Sequence, residues 1–545
     1  MGTRLGSMRI VAALGAGILM AGAFPPFRFS FLAWIGLVPL LAALWSIEGR
    51  RAGWKGFGIG YLAGLASCLI QFNWVSTVSW LGAILLPAYL AVYWGLFGLF
   101  AAKFGNPWSG KNRSILAVAF SHGAVWAGIE LLRGWVITGF SWNVLGVAFQ
   151  DTLLLAQGAD LLGVVGLSMV LVFCQAVVVQ VVKARVWREL AVVAVVLGLL
   201  AAYGATRISS EKKRESMRLK TLLVQLNIPQ DAHRMAWTDL EMHQGYEDET
   251  LEGLKNAKQF PHWVMWPETA LTGRILRTSS GEWGTWQINR DTIQQVRTAG
   301  PFELIYGVNE LEAERIGEDL VMIPKGHAYN SIAVDSPDGA FQTYRKNHLV
   351  IFGETIPFVD SLPWLKKIYE EQAGAEYGGS FSEGETFDPL PIRVGDKTVG
   401  AIPTVCFEDS VPRLTRRFVR PGPQVIINVT NDGWFKDSAA ADQHFSYARF
   451  RAIELRRPML RCGNTGVSAA IDTTGSTAHP DTGVSQVLTD EKGSHFTRGS
   501  LLTELAIPLK PGFSLYALIG DWGMIAIAIA GFATALLTRK PAITN

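Results

Sequence analysis

Seven apolar runs lie before residue 207, at roughly 8–24, 29–47, 56–72, 81–102, 115–132, 161–182 and 190–206, and an eighth covers about 515–537. A helix needs about 20 mostly apolar residues to cross a bilayer. Inside hydrocarbon every backbone polar group must be satisfied internally, so such runs have few choices beyond the helix. The pattern predicts an α-helical membrane bundle of eight transmembrane helices. Charge is scarce where the runs lie: residues 1–206 hold 13 Lys/Arg and 5 Asp/Glu, and 513–545 hold 2 and 1. Residues 207–512 hold 34 Lys/Arg and 40 Asp/Glu, an ordinary density for a folded extramembrane domain. The boundaries expected are a seven-helix region over 1–206, an extramembrane domain over 207–512, and a last helix with a tail over 513–545. Disorder and nucleic-acid binding are excluded by this balance.

Loop charges orient the bundle. With the N-terminus inside, the cytoplasmic segments carry Arg4, Arg9, Arg50, Arg51, Lys55, Lys103, Lys111, Arg113, Lys183, Arg185, Arg188, Arg539 and Lys540, and the opposite loops carry only Arg28 and Arg133. Thirteen positive charges against two is the positive-inside signature. It predicts both termini in the cytoplasm and the large domain on the outer face. The first run is read as a retained helix, because Pro25-Pro26 follows it where a signal peptide would show a small-residue cleavage site. Within the spans Glu130 is the clear ionisable group, and Arg133 at i+3 reads as its ion-pair partner. One such pair does not make a transport path.

From about residue 218 the pattern becomes short β-rich runs alternating with polar helical stretches. Strands are predicted over 222–226, 263–266, 304–308, 331–334, 341–344, 399–405, 425–429 and 467–471, and helices over 239–257, 289–299 and 442–456. The mixture reads as an α/β domain with packed sheets and outer helices. Cys68 and Cys174 sit in apolar runs, which leaves Cys406 and Cys462 in the domain and no disulfide scaffold.

Three polar residues each close a β-like run: Glu268 after 263–266, Lys346 after 341–344 and Cys406 after 399–405. Strand ends that converge on one sheet edge are where such domains build sites. A thiol is only slightly ionised near neutral pH, a carboxylate in a dry pocket can take its proton, and an ammonium can stabilise the oxyanion formed on attack at a carbonyl. Together they would transfer acyl groups through a thioester. Singly, Glu268 and Lys346 also fit ordinary surface charges, and Cys406 a buried apolar side chain or half of a disulfide with Cys462. No His/Cys cluster has ligand spacing, so neither a metal nor another cofactor is implied. His348, near the lysine, reads as structural.

Trp266-Pro267-Glu268-Thr269-Ala270, Tyr344-Arg345-Lys346-Asn347-His348 with Phe352-Gly353-Glu354, and Thr404-Val405-Cys406-Phe407-Glu408-Asp409 resemble, in this order, the Glu, Lys and Cys blocks of the nitrilase superfamily. Arg133-Gly134-Trp135, Gly139-Phe140-Ser141-Trp142, Asn431-Asp432-Gly433-Trp434-Phe435, Arg461 and Asn464-Thr465-Gly466 extend the resemblance to its membrane-embedded branch, the apolipoprotein N-acyltransferases. The resemblance implies an αββα sandwich on a bundle in the bacterial inner membrane. It makes Glu268 the general base, Lys346 the transition-state stabiliser and Cys406 the nucleophile. Glu354 and Glu408 match acidic positions near the site, Phe407 follows the nucleophile, and Trp237 and Trp434 match positions lining the lipid entrance. It further implies a monomer, surrounded by membrane lipids, that uses a phospholipid as acyl donor and a diacylglyceryl-modified apolipoprotein as acceptor. Two positions depart from the pattern: Ile351 stands where the family has Pro, and Phe407 where it has Tyr. The rival readings are a membrane-tethered amidase, in which water resolves the thioester, and a non-catalytic membrane protein. A stretch over 358–377, with Trp364 and Leu365 on one face and Lys366 and Lys367 on the other, is a candidate lid over the lipid side.

Overall fold

The computed structural model describes residues 2–109, 114–231, 234–356, 364, 366–367, 370–371 and 379–538. The chain forms two compact units: Met1–Lys212 with Ser438–Ser446 and Phe513–Asn545, and Lys213–Asp437 with Tyr447–Gly512. Most of the candidate lid lies outside the described residues, as do Lys111, Arg113, Arg539 and Lys540.

The first unit is helical. Among the described residues, five helices are long and apolar enough to cross a membrane: Arg4–Gly22, Gly82–Lys103, Ile115–Arg133, Val164–Ala184 and Trp187–Lys212. The eight apolar runs do not all become spans of that kind. Run 29–47 is broken into a 3₁₀ turn, Ser30–Trp34, and an eight-residue helix, Val38–Trp45, with proline in its first turn. Trp522–Leu537 has 16 residues. Helix Ala52–Gln71 packs against Gly82–Lys103 through glycines four apart. A Cβ on Gly56 would lie 2.3 Å from Gly98 O, and one on Gly60 2.3 Å from Trp94 O. Backbones approach this closely only where side chains are absent. Glu130 and Arg133 are both buried, yet they do not pair as expected. Glu130 accepts from Trp126 Nε1 (2.9 Å) and Leu145 N (2.8 Å), while Arg133 donates to Trp142 O (2.9 Å). Segment Ser438–Ser446 groups with this unit through Gln443, which accepts from Trp74 Nε1 (3.1 Å) and Trp142 Nε1 (2.9 Å) and donates to the carbonyls of Pro25 (3.0 Å) and Gln71 (3.1 Å).

The second unit holds two packed sheets. The larger runs Phe341–Arg345, Ala328–Asp335, Glu303–Ile316, Trp263–Met265, Ser216–Gln225, Gly499–Pro508. Its centre is parallel: Trp263–Met265 pairs in that sense with both neighbours. The smaller sheet runs Leu390–Val394, Lys397–Val405, Gln424–Thr430, Met459–Gly463, Ala469–Ile471, again parallel at the centre. Helices Asp239–Asn256 and Gln287–Arg297 cover the larger sheet, burying Met242, Tyr246, Leu254, Ile293 and Val296 with Val224, Val264 and Leu304. Thr238 and Glu241 form a capping box that starts the first of these helices. Cys462 lies between the sheets, its thiol directed at Val224 O (3.4 Å) and Met265 O (3.3 Å) of the facing sheet. Its place leaves no disulfide with Cys406, and both thiols are free.

Candidate active site

Parallel central strands send their C-terminal ends to one edge of each sheet, and three charged or nucleophilic side chains follow those ends or the adjoining hairpin strand. Glu268 comes three residues after Trp263–Met265, Lys346 directly after Phe341–Arg345, and Cys406 directly after Lys397–Val405. The Glu268 segment is laid on its neighbour strand by Trp266 N–H to Ile305 O (2.8 Å), Gly307 N–H to Pro267 O (3.0 Å) and Ala270 N–H to Gly307 O (2.9 Å). Gly307 permits this approach, since a Cβ there would lie 2.4 Å from Glu268 Cα. Thr269 (φ 51°) and Cys406 (φ 50°) both hold left-handed backbone. Strain of this kind concentrates where a side chain must leave the direction of its strand.

The structure brings Glu268, Lys346, Cys406, Glu354 and Glu408 into one cluster, in which Glu268, Lys346 and Glu408 are buried and Cys406 and Glu354 half-buried. Lys346, 1% exposed, bonds Glu354 Oε2 through Nζ at 2.7 Å. Glu354 also accepts the Val350 N–H at 2.9 Å. Its placement therefore does not need the proline that Ile351 replaces; the turn is closed instead by Phe352 (φ 63°), whose N–H reaches Thr355 O at 2.7 Å. Glu408 accepts from Tyr344 OH (3.0 Å), Asn347 N (2.7 Å), His348 N (2.9 Å) and Val405 N (2.8 Å), tying the lysine loop to the Cys406 turn. On the far side of that turn, buried Arg461 bonds Asp409 and Asp432, each at 2.9 Å.

Burial sets the electrostatics. It raises the Glu268 carboxyl above its ordinary range, with the Lys346 ammonium opposing. It pushes the Cys406 thiol well up, Glu268 adding to the effect and Lys346 working against it. On Lys346 burial acts downward, but the carboxylates of Glu354 and Glu268 outweigh it and hold the ammonium charged. Burial acts upward on Glu354 too, and there Lys346 wins, leaving it below the usual carboxylate range. Glu408 is pushed up to about 7 by burial, against Lys346 and its backbone donors. His348 is pulled down to about 4, mainly by burial and then by Arg413 and Lys346, and its ring stacks on Phe407 at 6.0 Å. A neutral, stacked imidazole is the structural role expected of it.

This arrangement suits one proton movement above others. Passing a proton from the thiol to Glu268 conserves the net charge of the pocket, so a dry surrounding does not forbid it, while a solitary thiolate there is costly. The ammonium beside both groups then faces whatever negative charge moves onward to a carbonyl oxygen.

Two family models match the chain: the apolipoprotein N-acyltransferase N-terminal domain over residues 16–177 and carbon-nitrogen hydrolase over 240–490. An apolipoprotein N-acyltransferase of Geobacter metallireducens is 30% identical over 486 residues, 84% of either chain. The chain belongs to the apolipoprotein N-acyltransferase family. A second relative of that name, from Allorhizobium ampelinum, is 32% identical and covers 86% of this chain and 87% of its own. A third, from Bradyrhizobium diazoefficiens, is 29% identical over 98% and 95%. Among solved structures, a carbon-nitrogen hydrolase from Helicobacter pylori G27 superposes with a TM-score of 0.33 at 12% identity, over 60% of this chain and 96% of that one.

Not every residue singled out from the sequence joins the cluster. Trp237 packs on the core beneath helix Asp239–Asn256, its ring 5.9 Å from the Arg498 guanidinium. Trp434 lies half-buried in the turn Asp432–Phe435, beside the Asp432 that Arg461 holds. Sequence reasoning missed Asn330, mid-strand in Ala328–Asp335 and 5% exposed. Its Nδ2 donates to Glu268 Oε1 (2.8 Å) and to Glu354 Oε1 (2.7 Å). An asparagine inside a β run carries no signal of its own; only the pairing of Ala328–Asp335 with Glu303–Ile316 brings it to the carboxylates. Among the described residues, no group of three or more His, Cys, Asp or Glu side chains could hold a metal.

Proposed function

We propose that this chain is an N-acyltransferase that moves a fatty acyl chain from a phospholipid to the α-amine of a diacylglyceryl-modified apolipoprotein, in two steps through Cys406. In the first, Glu268 takes the thiol proton as sulfur attacks the ester carbonyl. The S–C bond forms, Lys346 balances the oxyanion, and the ester C–O bond breaks as Glu268 returns the proton to the departing glycerol oxygen. A lysophospholipid leaves and acyl-Cys406 remains. In the second, the neutral amine attacks the thioester, Glu268 accepts its proton, the C–S bond breaks, and the proton passes to the sulfur. Glu354 and Glu408 support Lys346 and the turns. Phe407, Trp237 and Trp434 are assigned to packing around the site and to its lipid side.

The domain division over 1–206, 207–512 and 513–545 belongs to this reading, as do eight membrane passes, cytoplasmic termini and a catalytic domain on the periplasmic side, working as a monomer. The loop-charge asymmetry supports the orientation. A membrane-held enzyme suits this chemistry, because pulling an acyl chain into water costs about 0.8 kcal/mol per CH₂. The observation that carries the reading is the buried Lys346 beside Glu354 and Glu268, at the end of the strand next to the one leading to the hairpin, with the only half-exposed cysteine, Cys406, in its field. Family membership favours an amine over water as the second nucleophile. Incubating the full chain with a phospholipid carrying a labelled acyl group should give a hydroxylamine-sensitive adduct on Cys406 that Cys406→Ser does not form as a thioester. Hydrolysis of small amides without such an adduct would favour the amidase.

A further inference from the structure

We propose that Asn330 is a positioning residue whose side-chain amide turns the Glu268 carboxylate so that Oε2 is the oxygen offered to the Cys406 sulfur. The inference rests on the reading of Glu268 as base and Cys406 as nucleophile. Two carboxylates, Glu268 and Glu354, share the neighbourhood of one ammonium, Lys346, and Lys346 Nζ is taken by Glu354 Oε2. Lys346 makes no such bond to Glu268, whose carboxylate takes its hydrogen bond from an uncharged donor that also serves Glu354. Asn330 Nδ2 is that donor, with one N–H to Oε1 of each. The orientation of the amide is fixed by its partners, because an ionised carboxylate accepts and never donates. An aspartate of the same shape would place a third carboxylate on the same ammonium, and a serine could donate only once.

The backbone of Asn330 completes the arrangement. Its carbonyl accepts the Lys346 N–H at 2.8 Å, so one residue sets the lysine, the base and the supporting carboxylate in register. With Oε1 of Glu268 held by the amide, Oε2 stays buried without a hydrogen-bond partner. A buried acceptor without a donor is costly, and a thiol proton is the donor that the proposed first step delivers. Asn330 touches no reacting atom in this account; it acts through Glu268.

The test uses the full chain in detergent with Asn330→Ala and Asn330→Asp, and two readouts. One is single-turnover formation of acyl-Cys406 from a phosphatidylethanolamine bearing a fluorescent acyl chain. The other is the pH dependence of Cys406 alkylation by iodoacetamide, read by peptide mass spectrometry, which needs no lipid. Asn330→Ala should slow acylation about 10- to 100-fold, as misplacement of a reacting group does, with KM little changed. Asn330→Asp should slow it further and move the acid limb of both profiles up by about one pH unit, since a lost donor and an added anion both disfavour the ionised base. Wild-type rates with wild-type pH profiles in either variant would overturn the proposal. So would a lowered melting temperature with an unchanged profile, the mark of a merely structural residue. If Asn330→Ala does not fold, the isosteric Asn330→Asp decides alone. Shifted alkylation profiles in a protein whose wild type forms no acyl-Cys406 would refute the acyltransferase reading and leave the role of Asn330 standing.

Discussion

The carboxylate of Glu408 accepts the backbone N–H of Asn347 at 2.7 Å, so the turn that begins at Cys406 is fastened to the residue following Lys346. The same side chain takes the N–H groups of His348 and Val405 and the Tyr344 hydroxyl. Glu408→Gln offers one carbonyl oxygen to donors that now share two carboxylate oxygens, and its NH₂ must face one of them. Loss of charged, buried hydrogen bonds costs roughly 2–4 kcal/mol. The variant should unfold at lower temperature and form acyl-Cys406 at least about 100-fold more slowly. A wild-type melting curve would show that the staple does not matter.

The pH response has a sign fixed by two carboxylates shifted in opposite directions. Glu268 must be ionised to act as base, and burial holds its pKa above the ordinary value. Acylation should therefore fall, as pH drops, before ordinary carboxylates near 4.3 protonate. Glu354 is depressed by Lys346. Its contribution to stability is present above the unfolded pKa and lost only as pH falls through the lower folded value. Titrating downward, activity should vanish while circular dichroism still reports the folded domain. Coincident loss of the two would contradict this ordering.

How far the sequence anticipates the structure varies with the kind of contact. Lys346 and Cys406 were legible because each ends a β run, the lysine with a charge that does not belong on a buried strand and the cysteine within the stretch Thr404-Val405-Cys406-Phe407-Glu408-Asp409. The predicted strands all fall on or beside observed ones, since an apolar run with β-branched residues needs no partner to be seen. Leu390–Val394, Met459–Gly463 and Gly499–Pro508 escaped notice because charged or glycine residues interrupt them, and it is pairing that makes them strands. Composition marked 29–47 as a span, yet helix resumes only at Val38, after Gly36 and with Pro39 in its first turn. Asn330 and Gln443 are invisible for a related reason: every partner of their side chains comes from a segment distant in sequence.

Gly307 gives a test of backbone approach. A Cβ at this position would meet Glu268 Cα at 2.4 Å and Pro267 O at 2.7 Å, and neither is the end of a flexible side chain. Gly307→Ala must push residues 267–269 off the strand or distort the strand itself. A shift of about 1 Å in a catalytic group can cost about 100-fold in rate, so acylation should drop by that order, with the melting temperature lowered as well. Thiol alkylation at Cys406 should remain measurable, because the sulfur itself has not been moved. Full activity in Gly307→Ala would mean that the Glu268 segment is free to adjust.

The two cysteines of the second unit should behave in opposite ways, for reasons of place. Cys462 is fully buried between the sheets, its thiol pointing at two carbonyl oxygens, and burial raises its pKa to about 12. It is a small core residue with a weak donor. Cys462→Ser keeps both the volume and a donor for Val224 O or Met265 O, so the fold should lose no more than about 1 kcal/mol and turnover should stay within about twofold. Cys406 is half-exposed, sits in left-handed backbone and lies in the fields of Glu268 and Lys346. Cys406→Ala should leave the melting temperature nearly unchanged and remove acyl-enzyme and product alike. Iodoacetamide should label Cys406 in the native protein and reach Cys462 only after denaturation, and non-reduced peptide mapping should find no Cys406–Cys462 bridge. If Cys462→Ser were inactive while Cys406→Ala still transferred acyl groups, the sulfur that carries the chain would be the one between the sheets and the assignment would be lost.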